Sequence, residues 1–86
     1  LKLKQYPQAI SDLTACLAQK PNDVAHYLNR AQAYFESQKY PDALRDLSRV
    51  ESLEPSRMNY LLRGKCLLAM NLYEQAVESF SQQLKY

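Results

Sequence analysis

The chain has no tryptophan, one glycine (Gly64), one histidine (His26) and two cysteines, Cys16 and Cys66. Each scarcity excludes something. A lone glycine cannot build a glycine-rich phosphate loop. One histidine and two distant cysteines make no metal cluster, and no nucleophile, base and orienting acid converge by spacing, so neither catalysis nor a cofactor is expected. Two cysteines are also too few for a small disulfide scaffold, and both are expected to be reduced core residues in a cytoplasmic setting. Charge of a single sign is missing as well. Eleven Lys and Arg face nine Asp and Glu, for a net charge of +2 mixed along the chain. No basic stripe marks a nucleic-acid partner. The longest apolar run, Cys66 to Met70, is too short to span a bilayer, and Leu1-Lys2-Leu3-Lys4 does not open a secretory signal. No membrane partner is expected, and a start without Met reads as part of a longer protein.

What the chain does have is repetition. Tyr6, Pro7 and Ala9 recur as Tyr40, Pro41 and Ala43, then as Tyr73, Glu74 and Ala76, at steps of 34 and 33 residues. Units of that length cannot each bury an apolar face alone, so they predict stacked helix pairs. The pattern places helices at about 7–19, 22–37, 41–53, 57–70 and 73–85. Ala43, Leu44, Leu47, Val50 and Leu53 form a helical stripe, with Arg45, Arg49 and Ser52 on the wet side. Ala9, Ile10, Leu13, Cys16 and Leu17 repeat that stripe, as do Ala76, Val77, Phe80 and Leu84. Tyr27, Ala31 and Tyr34 form a second kind, matched by Tyr60, Gly64 and Leu67. The small residues at Ala31, Gly64, Ala9, Ala43 and Ala76 let helices approach closely, and bulk there would overpack the crossing. Pro21 and Pro55 stop the preceding helices, Asn22 and Ser56 are the expected caps, and Pro7 and Pro41 suit first turns.

These residues resemble the tetratricopeptide repeat family, built of 34-residue helical hairpins. Tyr27, Ala31, Tyr34, Tyr40, Ala43, Leu47 and Pro55 carry the likeness in a complete middle unit, and Tyr60, Gly64, Leu67, Tyr73, Ala76 and Phe80 carry it in the next. Ala9, Leu13 and Pro21 represent the second helix of a first unit, with Leu1 to Gln5 as the frayed end of that unit's other helix. The resemblance implies an all-α, right-handed α-solenoid of antiparallel hairpins, about two and a half repeats in one domain. The units run over 1–21, 22–55 and 56–86. Arg30 and Arg63 stand where the family usually has apolar residues. They are expected to pack their alkyl stems and pair their guanidiniums, Arg30 with Asp46 and Arg63 with another acid.

In this family the first helix of each hairpin lines a concave groove. By position that helix supplies Ala25, Leu28, Asn29, Gln32, Phe35 and Glu36, and the next supplies Met58, Leu61, Leu62, Lys65, Leu68 and Ala69. The resemblance therefore implies a protein-interaction module of a larger scaffold or adaptor. Leu28, Phe35, Leu61 and Leu68 would anchor a helical or extended segment, with Gln32, Glu36 and Lys65 fixing its orientation, while Met58 belongs to the same apolar patch and Asn29 to the same groove. An alternative is a co-chaperone-type adaptor that grips acidic peptide C-termini. Asn29 matches that clamp's asparagine, but Met58 and Leu62 stand where it has Lys and Arg. A structural spacer is a third reading. His26 reads as solvated, and uncapped repeat ends predict self-association.

Overall fold

The computed structural model describes residues 5–85. Leu1 to Lys4, and with them most of the expected remnant of a further helix, lie outside the described residues. The chain is all-α: α1 (Tyr6–Gln19), α2 (Val24–Glu36), α3 (Tyr40–Leu53), α4 (Tyr60–Ala69) and α5 (Tyr73–Lys85), with a short 3-10 turn at Pro55–Arg57 before α4. Each helix packs on the next, and the first helices of the two hairpins, α2 and α4, also touch. The five helices pack as adjacent antiparallel pairs, about two and a half repeats.

Local chemistry explains the element ends. Pro7 and Pro41 occupy the first turns of α1 and α3, where a missing N–H costs nothing. The expected caps move. Asp23, not Asn22, caps α2 by accepting from the His26 N–H at 3.3 Å. Asn59, not Ser56, caps α4 by accepting from Leu62 N–H at 2.9 Å. The 3-10 turn uses up residues 55–57 and delays α4. Both hairpins close in the same way. The Lys39 N–H reaches the Tyr34 carbonyl at 2.7 Å and Gln38 N–H the Phe35 carbonyl at 3.0 Å, while Leu72 and Asn71 repeat this onto Leu67 and Leu68. Gln38 and Asn71 take the left-handed conformation, φ 65° and 64°, that this helix ending requires.

The core gathers Leu17, Val24, Tyr27, Ala31, Ala43, Leu47, Val50, Met58, Leu62 and Cys66. At the hairpin crossings small residues face large ones. Ala31 and Leu47 are fully buried in the middle unit. Their positional equivalents are Gly64 and Phe80, and a Cβ on Gly64 would lie 2.7 Å from Cδ1 and Cζ of that ring. The larger ring is accommodated by the smaller partner.

The Arg30 expectation holds. Its Nε and Nη2 each donate to the Asp46 carboxylate at 2.7 Å, Arg49 adds a third bond at 2.8 Å, and Arg30 also donates to Thr14 on α1 at 3.1 Å. Asp46 is 1% exposed. Arg63 pairs with Glu51 at 3.4 Å. Cys16 departs from expectation and is exposed on α1, while Cys66 is buried as expected. Val77 and Leu84 are likewise exposed, at 64% and 89%.

Candidate peptide-binding face

Helices α2 and α4, the first helices of their hairpins, touch each other. A helix presents residues three and four apart on one side. On α2 this brings Leu28, Asn29 and Gln32 to the mouth of a cavity of about 420 Å³, which Arg57, Met58, Asn59 and Gln83 complete. Asn29 and Gln32 are exposed, Leu28 is half-buried, and Met58 is buried in the core and forms the floor. The rim is therefore more polar than the sequence implied.

Three rim residues were not foreseen. Arg57 ends the 3-10 turn, and its only ion pair among the described residues is a long one, 4.0 Å to Glu54. Asn59 spends its side-chain oxygen on the α4 cap, which leaves its amide N–H groups free to face the cavity. Gln83 arrives from the far end of α5 and accepts from Leu61 N–H at 3.2 Å. An arginine next to the expected Met58 was the one signal in the sequence, and the assumed helix start at 57 hid it.

The other expected residues lie further along the face. Phe35 is half-buried and stacks obliquely with Tyr40, ring centroids 5.7 Å apart. Glu36 accepts from the Tyr6 hydroxyl at 2.7 Å and from the Gln32 amide at 2.9 Å. Those two bonds, the tyrosine's first, hold the Glu36 carboxyl below its ordinary value, and the same bond to Glu36 raises the Tyr6 phenol. Leu61, Lys65 and Leu68 form an exposed row on α4, with Leu61 and Leu68 at 45% and 47%. They do not line the cavity around Asn29.

His26 is half-buried rather than solvated. Its Nε2 lies 3.8 Å from Asp23, and its buried Nδ1 has no hydrogen-bond partner among the described residues. Among those residues no group of three or more His, Cys, Asp or Glu is placed to hold a metal ion, and no helix is long and apolar enough to cross a membrane.

Antiparallel helix pairs stacked in this way define a helical-repeat protein-interaction region. Residues 2–83 match the family model described as anaphase-promoting complex, cyclosome, subunit 3, and the chain belongs to this tetratricopeptide-repeat family. It is 31% identical over 86 residues to Hsp70-Hsp90 organizing protein 3 of Arabidopsis thaliana, covering 99% of this chain and 15% of that protein. It is 35% identical over 82 residues to the protein SGT1 homolog of Bos taurus, covering 93% of this chain and 24% of that one. U-box domain-containing protein 70 of Oryza sativa subsp. japonica is 31% identical over 85 residues, 98% of this chain and 11% of its own length. The chain thus spans less than a quarter of each of these relatives. No solved structure gives a significant match.

Proposed function

We propose that this chain is the peptide-gripping region of a co-chaperone-type adaptor, and that its concave face holds an extended segment ending in carboxylates. The observation that carries this reading is the polar rim of Asn29, Gln32, Arg57, Asn59 and Gln83 around a floor of Leu28 and Met58. Met58 and Leu62 are core residues and supply no charge, so Arg57, one residue before Met58, takes the cationic role. Its guanidinium forks onto a carboxylate while the amides of Asn29 and Asn59 donate alongside. Lys65 adds attraction from α4. Glu36 stays ionised beyond Gln32 and repels acid there, which sets the peptide's direction: its acidic end lies toward Arg57. The relatives named for organising Hsp70 and Hsp90 support a chaperone of those classes as the partner. The two free thiols fit a cytoplasmic setting.

A second reading rests on the exposed Leu61 and Leu68. There an apolar helical or extended segment would be anchored by Leu28, Phe35, Met58, Leu61 and Leu68, with Asn29, Gln32, Glu36 and Lys65 fixing its orientation.

Fluorescence anisotropy with a peptide ending in two acidic residues separates the two. A free C-terminus should bind, weaken steeply with salt, and lose about tenfold in affinity with Asn29→Ala or Arg57→Gln. If a C-terminal amide binds equally well and only Leu28→Glu or Leu61→Glu abolishes binding, the apolar reading replaces the acidic one.

A further inference from the structure

The outer side of α3 carries a second cavity that shares no residue with the concave one. Arg45, Ser48, Arg49 and Ser52 recur at steps of three and four, so they lie along one side of the helix. With Pro21, Asn22, Tyr27 and Leu53 they line about 470 Å³. Among the described residues no acidic one lines it.

Its charge is not cancelled from beneath. Asp46 is the acid below the cavity, and its two oxygens are already held by Arg30 at 2.7 Å each. Arg49 leans on the same carboxylate through Nη1 at 2.8 Å. Two guanidiniums share one carboxylate, which leaves a net positive charge before Arg45 is counted. Arg49 is also held in place, its Cζ lying 5.7 Å from the centroid of the Tyr27 ring. Its remaining N–H groups are available to a ligand without further ordering. Arg45 is held only by Asp42, at 3.4 Å in an exposed pair, and such a pair is worth little. The Tyr27 hydroxyl is engaged, donating to the Pro21 carbonyl at 2.6 Å, so its ring acts here as an apolar wall beside Pro21 and the exposed Leu53.

We infer that this outer cavity is a binding site for a phosphorylated serine or threonine of a protein partner. Two guanidiniums, the hydroxyls of Ser48 and Ser52, and the Asn22 amide offer more donors than a carboxylate's two oxygens can use. A phosphoryl group presents three oxygens and a charge of about −1.5 to −2 at pH 7. Arginine forks onto it in bidentate fashion. The Tyr27, Pro21 and Leu53 wall receives the apolar residue beside it. The chain would then engage a partner on two faces, the outer one controlled by phosphorylation.

The test is a titration of ¹⁵N-labelled chain with three probes: acetyl-Leu-phosphoserine-Leu-amide, the same peptide with glutamate for phosphoserine, and inorganic phosphate. The phosphopeptide should produce saturable shifts at the amides of Asn22, Ser48, Arg49 and Ser52, and bind at least about tenfold more tightly than either other probe. Arg45→Gln and Arg49→Lys should each weaken it by about tenfold, the second because it keeps the charge and loses the fork. Among the described residues Arg45 pairs with Asp42 alone, in an exposed pair, so that variant should fold normally, which circular dichroism verifies. Three results overturn the inference. They are shifts absent from these amides or centred on Asn29 and Asn59, equal binding of the glutamate peptide, and equal binding of inorganic phosphate.

Discussion

Gly64→Ala tests whether the hairpin crossings are matched in size, small residue against large. The added Cβ would sit 2.7 Å from Cδ1 and Cζ of Phe80, well inside the 3.4 Å at which ordinary contact begins. Either the ring turns away or the helices part, and overpacking of this kind costs about 1–3 kcal/mol. Against that, alanine removes the glycine penalty inside a helix, about 1 kcal/mol. The net expectation is a loss of up to about 2 kcal/mol, or a fall of about 4–8 °C in Tm for each kcal/mol lost by a chain of this size. Phe80→Leu puts the leucine of the middle unit, Leu47, at the equivalent position, where Ala31 stands in the place of Gly64. In that background the clash disappears, and Gly64→Ala should stabilise by about 1 kcal/mol. The two substitutions should therefore couple by about 1–3 kcal/mol, measured by urea unfolding of the four proteins followed at 222 nm. Additivity to within about 0.5 kcal/mol would refute the size-matching argument. So would a gain in stability from Gly64→Ala alone.

Asp46→Ala should cost about 3–5 kcal/mol in the same assay, because it leaves the partly buried Arg30 without its counter-charge; a loss under about 1 kcal/mol would show that the arginines re-pair. Tyr6→Phe should reduce the acid sensitivity of folding. Glu36 has its carboxyl lowered in the folded state, so its contribution is complete above the unfolded value near 4.5 and fades as pH falls through the lowered one. Melting curves from pH 3 to 7 should show a shallower acid loss in the variant, and parallel curves would contradict this. Cys16 should react with a thiol reagent at once and Cys66 only on unfolding, since burial raises the Cys66 thiol to about 11; two fast thiols per native chain would contradict the packing of α4. Sedimentation velocity should show concentration-dependent association that Val77→Lys and Leu84→Glu suppress, and a parent chain monomeric at all concentrations would remove the apolar end from consideration.

The period, helix count and Arg30–Asp46 pair were legible because each rests on spacing that a helix converts directly into geometry. Arg30 and Asp46 stand on paired helices at matched heights, and a partly buried guanidinium at a repeat core position needs an acid. The α4 cap was not legible. Ser56 and Asn59 are both capping residue types, and only the 3-10 turn over Pro55–Arg57 decides between them. Cys16 shows a different limit: periodicity tells which side of a helix faces a neighbour, not whether the neighbour is there. The cavity rim escaped for a third reason. Arg57 lies in a turn, Asn59 at a cap and Gln83 on the last helix, so no single period links them.

Leu28, Phe35, Tyr40 and Leu44 of the middle unit are half-buried against the core. Their counterparts one repeat on are Leu61, Leu68, Tyr73 and Val77, and all four are exposed. The chemistry at these positions is similar, and terminal repeats expose positions that inner repeats cover. A surface that any stacked helix would cover is weak evidence for a particular ligand. The polar rim at Asn29, Arg57 and Asn59 differs in kind, because it lies between two units already stacked on each other. Stacking a further hairpin on α4 and α5 would bury Leu61 and Leu68 and leave Asn29 and Arg57 open. That difference favours an acidic peptide over an apolar segment as the ligand of this face.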